Sequence, residues 1–188
     1  MLINKKTLSS ISKQNSKETG WIYIGDDKER YVLGQPGIYN VMVIGVNPST
    51  ATPEKDDTTV RNVRKIVDNN GYYGWIMINI YPLIATNTED LPLNADKSLI
   101  KQNIKVINHV INNYNIGAFW AAWGDLIDTR DYLGNALVEM FNSIQSEREW
   151  YCIGNMTRKG NPRHPLYLKT DSKFEPFCMG DYICFWEY

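Results

Sequence analysis

The sequence predicts an α/β protein in which helices cover both faces of a central, mainly parallel, four-stranded sheet. Two observations lead to this three-layer αβα arrangement. Short apolar runs alternate along the chain with segments whose apolar residues recur every three or four positions. Such runs are typical of strands buried on both faces, and such segments are typical of amphipathic helices. Their alternation favours right-handed strand–helix–strand crossovers and therefore a parallel sheet.

Each predicted element rests on its own pattern. The four strands are the apolar runs at residues 39–45, 75–80, 116–123 and 150–153. Asp57 can cap the first helix and Gly71 can end it, while Asp96 lies near the start of the second. Apolar positions at helical spacing define the three helices: Val60, Val63, Ile66 and Val67 in the first; Ile100, Ile104, Ile107, Ile111 and Tyr114 in the second; Leu133, Leu137, Met140 and Ile144 in the third.

The two ends of the chain flank this unit. Residues 1–20 are polar and are expected to be poorly tied down or to form at most a short helix. Residues 21–24 and 31–33 flank a charged stretch, which predicts a β-hairpin at an edge of the sheet. The aromatic tail at 174–188 could add a further edge strand. We therefore expect a polar N-terminal segment at 1–20 and a single domain at 21–188, which is long enough for a hydrophobic core.

Composition limits the classes of function. The chain has 188 residues, 43% of them hydrophobic, and a formal net charge of −1, so no overall positive field would attract nucleic acid. No apolar run approaches the roughly 20 residues of a membrane span, and the N-terminal residues lack the apolar core of a signal peptide. The three cysteines have no metal-ligand spacing, which favours reduced thiols in a cytoplasmic protein. We expect no membrane partner, no metal and no cofactor, and the oligomeric state is left open.

Polar residues follow each predicted strand. The segments at 47–50, 79–82 and 124–125 and the loop after residue 153 would meet at one edge, because open parallel sheets bring the carboxyl ends of their strands together. In the first segment Gly45 permits close backbone approach, Pro48 fixes φ, and Asn47 offers an amide donor and acceptor. We interpret this edge as the site, the alternative for the first segment being an ordinary turn.

The strand ends carry short motifs in a fixed order. They are GVNP at 45–48, IMIN at 76–79, FWAAWG at 119–124 and, in the last loop, HP at 164–165. These motifs resemble those of the uracil-DNA glycosylase superfamily, in particular the Gly-x-Asn-Pro motif of its mismatch-specific members. The segments NPSTA, DDTTVR, N-x-YPL, AAWG and GxPRHPLYL are more closely similar to the uncharacterised relatives grouped as DUF1643. The resemblance covers residues 33 to about 168 and implies a uracil-DNA glycosylase-like fold.

The resemblance also implies roles for individual residues. Asn79 would recognise the amide-like edge of a pyrimidine, His164 would stabilise the departing base, and Leu168 falls where the family places its wedge leucine. Two positions of the first motif differ from the glycosylases: Asn47 stands where the most active members carry aspartate, and Ser49 replaces a glycine. Asn47 could orient a water molecule, but its amide cannot act as a base near neutral pH.

For several candidates a structural role competes with a functional one. Asp57 could supply a carboxylate to the site or could simply cap the first helix. Thr58 and Arg61, together with the helix N-terminus, could hold an anion such as phosphate, or Arg61 could be an ordinary solvated residue. Asn79 could satisfy the end of its own strand, and Tyr81 could either stack on a base or pack in the core.

A basic segment surrounds His164. Residues 157–170 include Arg158, Lys159 and Arg163 and contain no acidic residue. Such a local excess of positive charge indicates a phosphate-contacting surface, or else a solvated loop. A histidine in a loop at the functional edge is also a good candidate for a site residue.

The sequence therefore predicts recognition of a nucleobase or nucleotide, with N-glycosidic hydrolysis as the reaction. The ligand would be a nucleotide, or a nucleic acid whose base is single-stranded or flipped out. A binding protein that keeps the pocket without the chemistry is the alternative, and an enzyme acting on free nucleotides is a third hypothesis. The predicted catalytic residues are Asn47, Asp57 and His164. The predicted binding residues are Gly45, Pro48, Ser49, Thr50, Thr58, Arg61, Asn79, Tyr81, Gly124, Arg158, Lys159, Arg163 and Leu168.

Overall fold

A seven-stranded sheet forms the centre of the protein. The computed structural model describes residues 20–144, 148–184 and 186, so the predicted polar segment 1–20 lies outside the described residues except for Gly20. The strands are β1 (Ile22–Gly25), β2 (Arg30–Gln35), β3 (Asn40–Gly45), β4 (Gly74–Asn79), β5 (Ile116–Ala121), β6 (Trp150–Cys152) and β7 (Glu175–Pro176). Their order across the sheet is β1-β2-β4-β3-β5-β6-β7.

Helices pack on both faces of this sheet. They are α1 (Thr58–Asn69), α2 (Lys97–Asn113), α3 (Asp131–Ser143) and α4 (Met179–Ile183), with 3-10 helices at Thr88–Asp90, Gly124–Thr129 and Pro165–Tyr167. The apolar residues of α1 form one core cluster with one face of the sheet, and those of α2 and α3 form another with the opposite face. The predicted mixed α/β class is confirmed. Within the described ranges, none of the helices has the length and apolarity needed to cross a bilayer.

The prediction of a four-stranded sheet is wrong, because both ends of the chain add strands. The four predicted strands correspond to β3, β4, β5 and β6, which pair in parallel. The predicted hairpin of β1 and β2 belongs to the same sheet, since β2 pairs antiparallel with β4. The aromatic tail supplies β7, which pairs antiparallel with β6. The sequence predicted the hairpin at an edge of the sheet and left a further edge strand in the tail open, and both lie in the one sheet. Pairing between distant segments leaves no local signal in a sequence, so the central sheet itself was predicted with too few strands.

The predicted helix faces hold with two exceptions. All four apolar positions predicted for the first helix are buried in α1, and the four predicted for the third are buried in and directly after α3. For α2, however, Ile104 and Tyr114, which directly follows the helix, are only partly buried, and Asn103 takes a buried position instead. The Asn103 amide donates to the backbone oxygens of Asn79 at 2.7 Å and Ile80 at 3.2 Å. This polar contact ties α2 to the end of β4 and explains why an asparagine lies in the core.

The parallel strands place their carboxyl ends side by side. Every residue of β3 and β4 is buried, as expected for the apolar runs from which they were predicted. Gly45 and Asn79 are the last residues of these two strands, and they are paired in the sheet. Because β2 runs antiparallel to β4, its first residue, Arg30, also lies at this edge. The strand pairing therefore brings together residues from three separate parts of the chain.

Candidate functional site

A cleft of about 630 Å³ opens at the carboxyl edge of the parallel strands. Its walls include the ends of β3 and β4, the start of α1 and the loop that carries His164. Six predicted residues line it: Gly45, Asn47, Ser49, Asp57, Asn79 and His164. The structure thus brings together residues that are up to 119 positions apart in sequence, counting from Gly45 to His164 (164 − 45).

The other predicted residues lie outside the lining of this cleft. Tyr81 is fully buried and its hydroxyl accepts from the Asp96 backbone N–H at 3.1 Å, so it packs in the core. Arg61 is exposed and donates to the Thr58 hydroxyl at 2.9 Å. Leu168 packs against the core cluster on the α1 face. The remaining predicted residues that do not line it are Pro48, Thr50, Thr58, Gly124, Arg158, Lys159 and Arg163.

Asn79 presents an uncommitted amide to the cleft. The residue is only 3% exposed, yet within the described part of the chain its side chain makes no hydrogen bond. Its backbone oxygen, by contrast, accepts from Asn103. The Asn79 amide is not among the enclosed side-chain groups that lack a partner, so its atoms border the open space of the cleft. The side chain of Asn79 is therefore available to a ligand and is not used to satisfy the end of its own strand.

Gly45 makes room for this amide. A Cβ atom placed on Gly45 would lie 2.8 Å from Oδ1 of Asn79, which is closer than a real carbon atom approaches. The close approach that the sequence suggested at Gly45 is thus to a neighbouring side chain across the sheet.

Asn47 holds the loop together. Its Nδ2 donates to the backbone oxygens of Pro48 at 3.1 Å and Ala85 at 2.8 Å. Pro48 is buried, and its oxygen also accepts from the Ala85 backbone N–H at 3.0 Å. The amino group of Asn47 is therefore used to join the turn after β3 to the segment after β4. Asn47 lines the cleft, but these bonds make it a residue that positions the cleft wall.

The orientation of the His164 ring follows from its hydrogen bond. Its Nδ1 accepts from the Leu166 backbone N–H at 3.2 Å. In the neutral ring the proton consequently sits on Nε2, which can act as a donor. Burial lowers the pKa of His164 to about 4, although the charge of Asp57 acts in the opposite direction. At neutral pH the ring is an uncharged donor with a fixed tautomer.

Asp57 combines the two roles that the sequence left open. Its Oδ1 accepts from the Val60 backbone N–H at 2.8 Å, so it caps α1 as predicted. The same residue lines the cleft, where its charge acts on both His164 and Arg30. A carboxylate has about four acceptor positions, so capping leaves capacity for a second interaction.

The loop that carries His164 is held by a polar network around the buried Asn161, which the sequence did not predict. Asn161 is 3% exposed and donates to Asp125 at 3.0 Å and to Asp128 at 3.1 Å, while Tyr182 donates to its Oδ1 at 2.6 Å. Hydrogen bonds from Thr157 and Asn161 lower the pKa of the Asp125 carboxyl, although its partial burial opposes them. The network fixes the loop three residues before the histidine.

Gly124 lies directly behind His164. It has a φ of 62°, and a Cβ atom there would lie 3.0 Å from Cβ of His164. Its backbone N–H donates to the Pro162 oxygen at 2.9 Å. Glycine is required here for the left-handed backbone and for contact with the loop. Gly124 thus supports the histidine from behind and does not contribute to the cleft wall.

Arg30 is the second residue that the sequence analysis missed. It lines the cleft, is only 3% exposed, and forms no salt bridge with any of the described residues. Its Nη1 donates to the Ala51 oxygen, while its Nε is buried without a partner. Burial lowers the pKa of the Arg30 guanidinium, and the charge of Asp57 opposes this shift. In the sequence Arg30 is the last residue of the charged stretch between the two strands of the predicted hairpin, and nothing there indicates that it is buried.

The basic segment borders a second depression, of about 480 Å³, beside the cleft. Arg158 and Arg163 line it together with Asp125. Arg163 donates to the Asn155 oxygen at 2.7 Å, and Lys159 pairs with Asp128 at 3.3 Å. The positive charges of this segment are therefore partly balanced by acids from the turn after β5.

Three large apolar residues of the cleft lining are exposed. Leu126 and Leu166 are each 41% exposed and Tyr167 is 79% exposed. The Tyr167 ring lies 6.3 Å from the His164 ring, measured between centroids. The predicted wedge position, Leu168, packs against the core instead, so these three residues supply the exposed apolar surface of the cleft. Within the described ranges, no cluster of three or more His, Cys, Asp or Glu side chains could hold a metal ion.

The fold and the cleft define a mixed α/β protein with a polar cleft at the carboxyl edge of its parallel strands. Residues 30–166 match the family described as "Protein of unknown function (DUF1643)". The match covers more than half of the chain, and the protein belongs to this family. No curated protein and no solved structure shows significant similarity to it.

Proposed function

We propose that the cleft binds a nucleobase and its attached sugar on a uracil-DNA glycosylase-like scaffold, and that the reaction is N-glycosidic hydrolysis. The observation that carries the proposal is Asn79, a buried residue whose side chain faces the cleft without a partner in the described chain. A carboxamide pairs one donor with one acceptor, which matches the amide-like edge of a pyrimidine. The four ordered motifs that resemble the glycosylases support the same assignment.

His164 supplies a second contact to the base. Its Nε2–H is a neutral donor at pH 7, and the residue lines the same cleft as Asn79. When the bond between the sugar carbon and the base nitrogen breaks, the electron pair stays on the base and negative charge develops on its carbonyl oxygens. A fixed donor aimed at that charge stabilises the transition state more than the ground state.

Asp57 is the acceptor best suited to the attacking water. In the reaction a water molecule adds to the sugar carbon, and a proton-accepting side chain takes up one proton of the water. The departing nucleobase finally gains a proton, so the products are a free nucleobase and a sugar with a hydroxyl group. Asn47 was predicted to place this water, but its amino group is bonded to Pro48 and Ala85. Asp57 has a carboxylate in the cleft wall with remaining acceptor capacity.

Single-turnover cleavage tests this function. The substrates are nucleosides, nucleotides and single-stranded oligonucleotides that contain uracil, cytosine, adenine or guanine, and free base is measured. Asp57→Asn and His164→Gln should each slow the reaction by about a hundredfold, because each removes an interaction with the transition state. Asp68→Asn, an exposed acid on α1, is the matched control. Absence of base release from all of these substrates would reject the hydrolysis.

A binding protein without this chemistry is the second candidate. The observation that favours it is Asn47, which stands where active glycosylases carry a carboxylate and which is engaged in the loop. In that case the same compounds raise the melting temperature without being cleaved, since a ligand that binds the native state stabilises it by mass action. His164→Gln would then weaken binding of the ligand, and neither the variant nor the wild type would release free base.

A further inference from the structure

We propose that Arg30 binds the terminal phosphate of a mononucleotide whose base is held at Asn79. This inference rests on the proposed function and assigns its ligand class. The sequence motifs predict no role for Arg30. A phosphate site at Arg30 would mean that the ligand is a free nucleotide and not a nucleic acid strand.

The first step is the state of the Arg30 guanidinium. A guanidinium carries five N–H donors and a permanent charge, and buried charges in proteins are normally paired. Arg30 is 3% exposed, makes one side-chain hydrogen bond, to Ala51, and has no salt bridge within the described residues. The residue lines the cleft, so an anion in that space can reach it.

The second step is the position of Arg30 relative to Asn79. β2 begins at Arg30 and runs antiparallel to β4, which ends at Asn79. Both residues line the cleft, whose volume of about 630 Å³ falls in the range of sites for small molecules. One ligand can therefore contact the amide through its base and the guanidinium through an anionic group.

The third step concerns the kind of phosphate. In a strand, the phosphates on both sides of a flipped base are diesters that stay with the backbone at the mouth of a site. A buried arginine inside the cleft can be reached by a terminal monoester, which is not tied to further nucleotides. The acids Asp57 and Glu89 also line the cleft, and they disfavour the approach of a long polyanion.

The alternative anchor for a strand is weaker. Arg158 and Arg163 border the neighbouring depression, but Asp125 lies in the same lining. Lys159 is already paired with Asp128. Among the described residues that line the cleft, Arg30 is the only arginine or lysine, and it forms no salt bridge, although the charge of Asp57 acts on it. A monoester phosphate is the complementary group, since arginine binds such oxygens with charge-assisted hydrogen bonds.

Calorimetric titration of the full chain tests this inference. The probes are uridine, cytidine, adenosine and guanosine, their 5′- and 3′-monophosphates, the free bases, inorganic phosphate, and a single-stranded oligonucleotide with hydroxyl ends. For the base that binds, we expect the monophosphate to bind at least about tenfold more tightly than the nucleoside, as charge-assisted hydrogen bonds imply. Arg30→Gln should abolish this difference and leave nucleoside affinity unchanged.

Two further variants keep the test decisive. Arg30→Lys retains the positive charge but has fewer N–H donors, so it should keep only part of the preference for the monophosphate over the nucleoside. This variant replaces Arg30→Gln in the test if Arg30→Gln does not fold. Lys101→Gln removes a charge from an exposed position on α2 and should keep the full preference. Calorimetry is accompanied by circular dichroism to verify that each variant is folded.

The contrary outcomes are distinct. Equal affinity for nucleoside and monophosphate in the wild type, or a preference that survives in Arg30→Gln, would overturn the role of Arg30 while the proposed function stands. If an oligonucleotide with hydroxyl ends binds as tightly as the monophosphate, the ligand is a nucleic acid strand and not a free nucleotide. If no base, nucleoside, nucleotide or oligonucleotide binds, the proposed function fails and this inference fails with it.

Discussion

Gly45 and Asn79 end neighbouring parallel strands and are paired across them, and the space above Gly45 is occupied by Oδ1 of Asn79. The glycine thus determines where the buried amide can point. Glycine has no side chain that could take part in the chemistry of the cleft. Any larger residue at this position would compete with the Asn79 amide for the same volume. The absence of a side chain at Gly45, in the first motif, therefore determines the position of the Asn79 amide, in the second motif.

Replacing Gly45 with alanine should therefore impair the site more than the fold. The new methyl group would lie 2.8 Å from Oδ1 of Asn79, and the amide must turn away to relieve the contact. We expect ligand affinity to fall by about tenfold or more, as loss of one or two hydrogen bonds implies. Gly180→Ala, where a Cβ atom meets nothing within 4 Å, is the control. Unchanged affinity in Gly45→Ala would show that Asn79 does not contact the ligand.

Much of the parallel part of the fold could be predicted because its signals are local. β3 and β4 are continuous apolar runs, and both are buried along their whole length. The polar residues after them could be assigned to one edge because parallel strands share a direction. Asn47 and Asn79 do line one cleft, as the positions of their strand ends suggested.

The residues that could not be predicted depend on contacts between distant segments. Arg30 follows Asp26, Asp27, Lys28 and Glu29, and in sequence it is one more charge of a hairpin. It becomes a buried residue of the cleft only because β2 pairs with β4. Asn161 lies in a loop of glycine, asparagine and proline, and its role depends on Asp125 and Tyr182, which approach from other parts of the chain.

The pKa of His164 predicts a specific pH dependence of stability. Its folded-state pKa is lowered from 6.5 to about 4, so the unfolded chain binds a proton that the folded protein does not. The contribution of His164 is therefore fully present above pH 6.5 and is lost as the pH falls towards 4. Urea unfolding of His164→Gln should show a shallower pH dependence in this window than the wild type.

His109 provides the matched control for this measurement. It is the second histidine of the chain and lies exposed on α2. His109→Gln makes the same replacement at a histidine outside the cleft and so controls for the substitution itself. Identical curves for His164→Gln and the wild type between pH 4 and 6.5 would contradict the burial of the ring as the cause of its low pKa.

Substituting Asn47 with aspartate should destabilise the protein and not activate it. The carboxylate cannot donate to the Pro48 and Ala85 oxygens, and it places negative charge beside both carbonyl groups. Loss of the two bonds should lower the free energy of unfolding by about 2–3 kcal/mol. Asn135→Asp, at an exposed position of α3, is the control. A stable Asn47→Asp variant that releases base faster than the wild type would instead support the role in placing water.

Replacing Asn161 tests whether the network around it positions His164. Asn161→Ala removes the donor that the exposed carboxylates of Asp125 and Asp128 share. It also removes the acceptor of the buried Tyr182 hydroxyl, which still accepts from Trp123 at 3.0 Å. Because water can replace the donor at the carboxylates, the free energy of unfolding should fall by about 1–2 kcal/mol, mostly through the Tyr182 hydroxyl. Ligand affinity measured under folding conditions should fall as well, because the loop before the histidine loses its anchor. Asn155→Ala, an exposed position in the same loop, should change neither quantity. If Asn161→Ala loses stability but keeps full affinity, the network supports the fold alone and His164 is held by its contacts with Gly124 and Leu166.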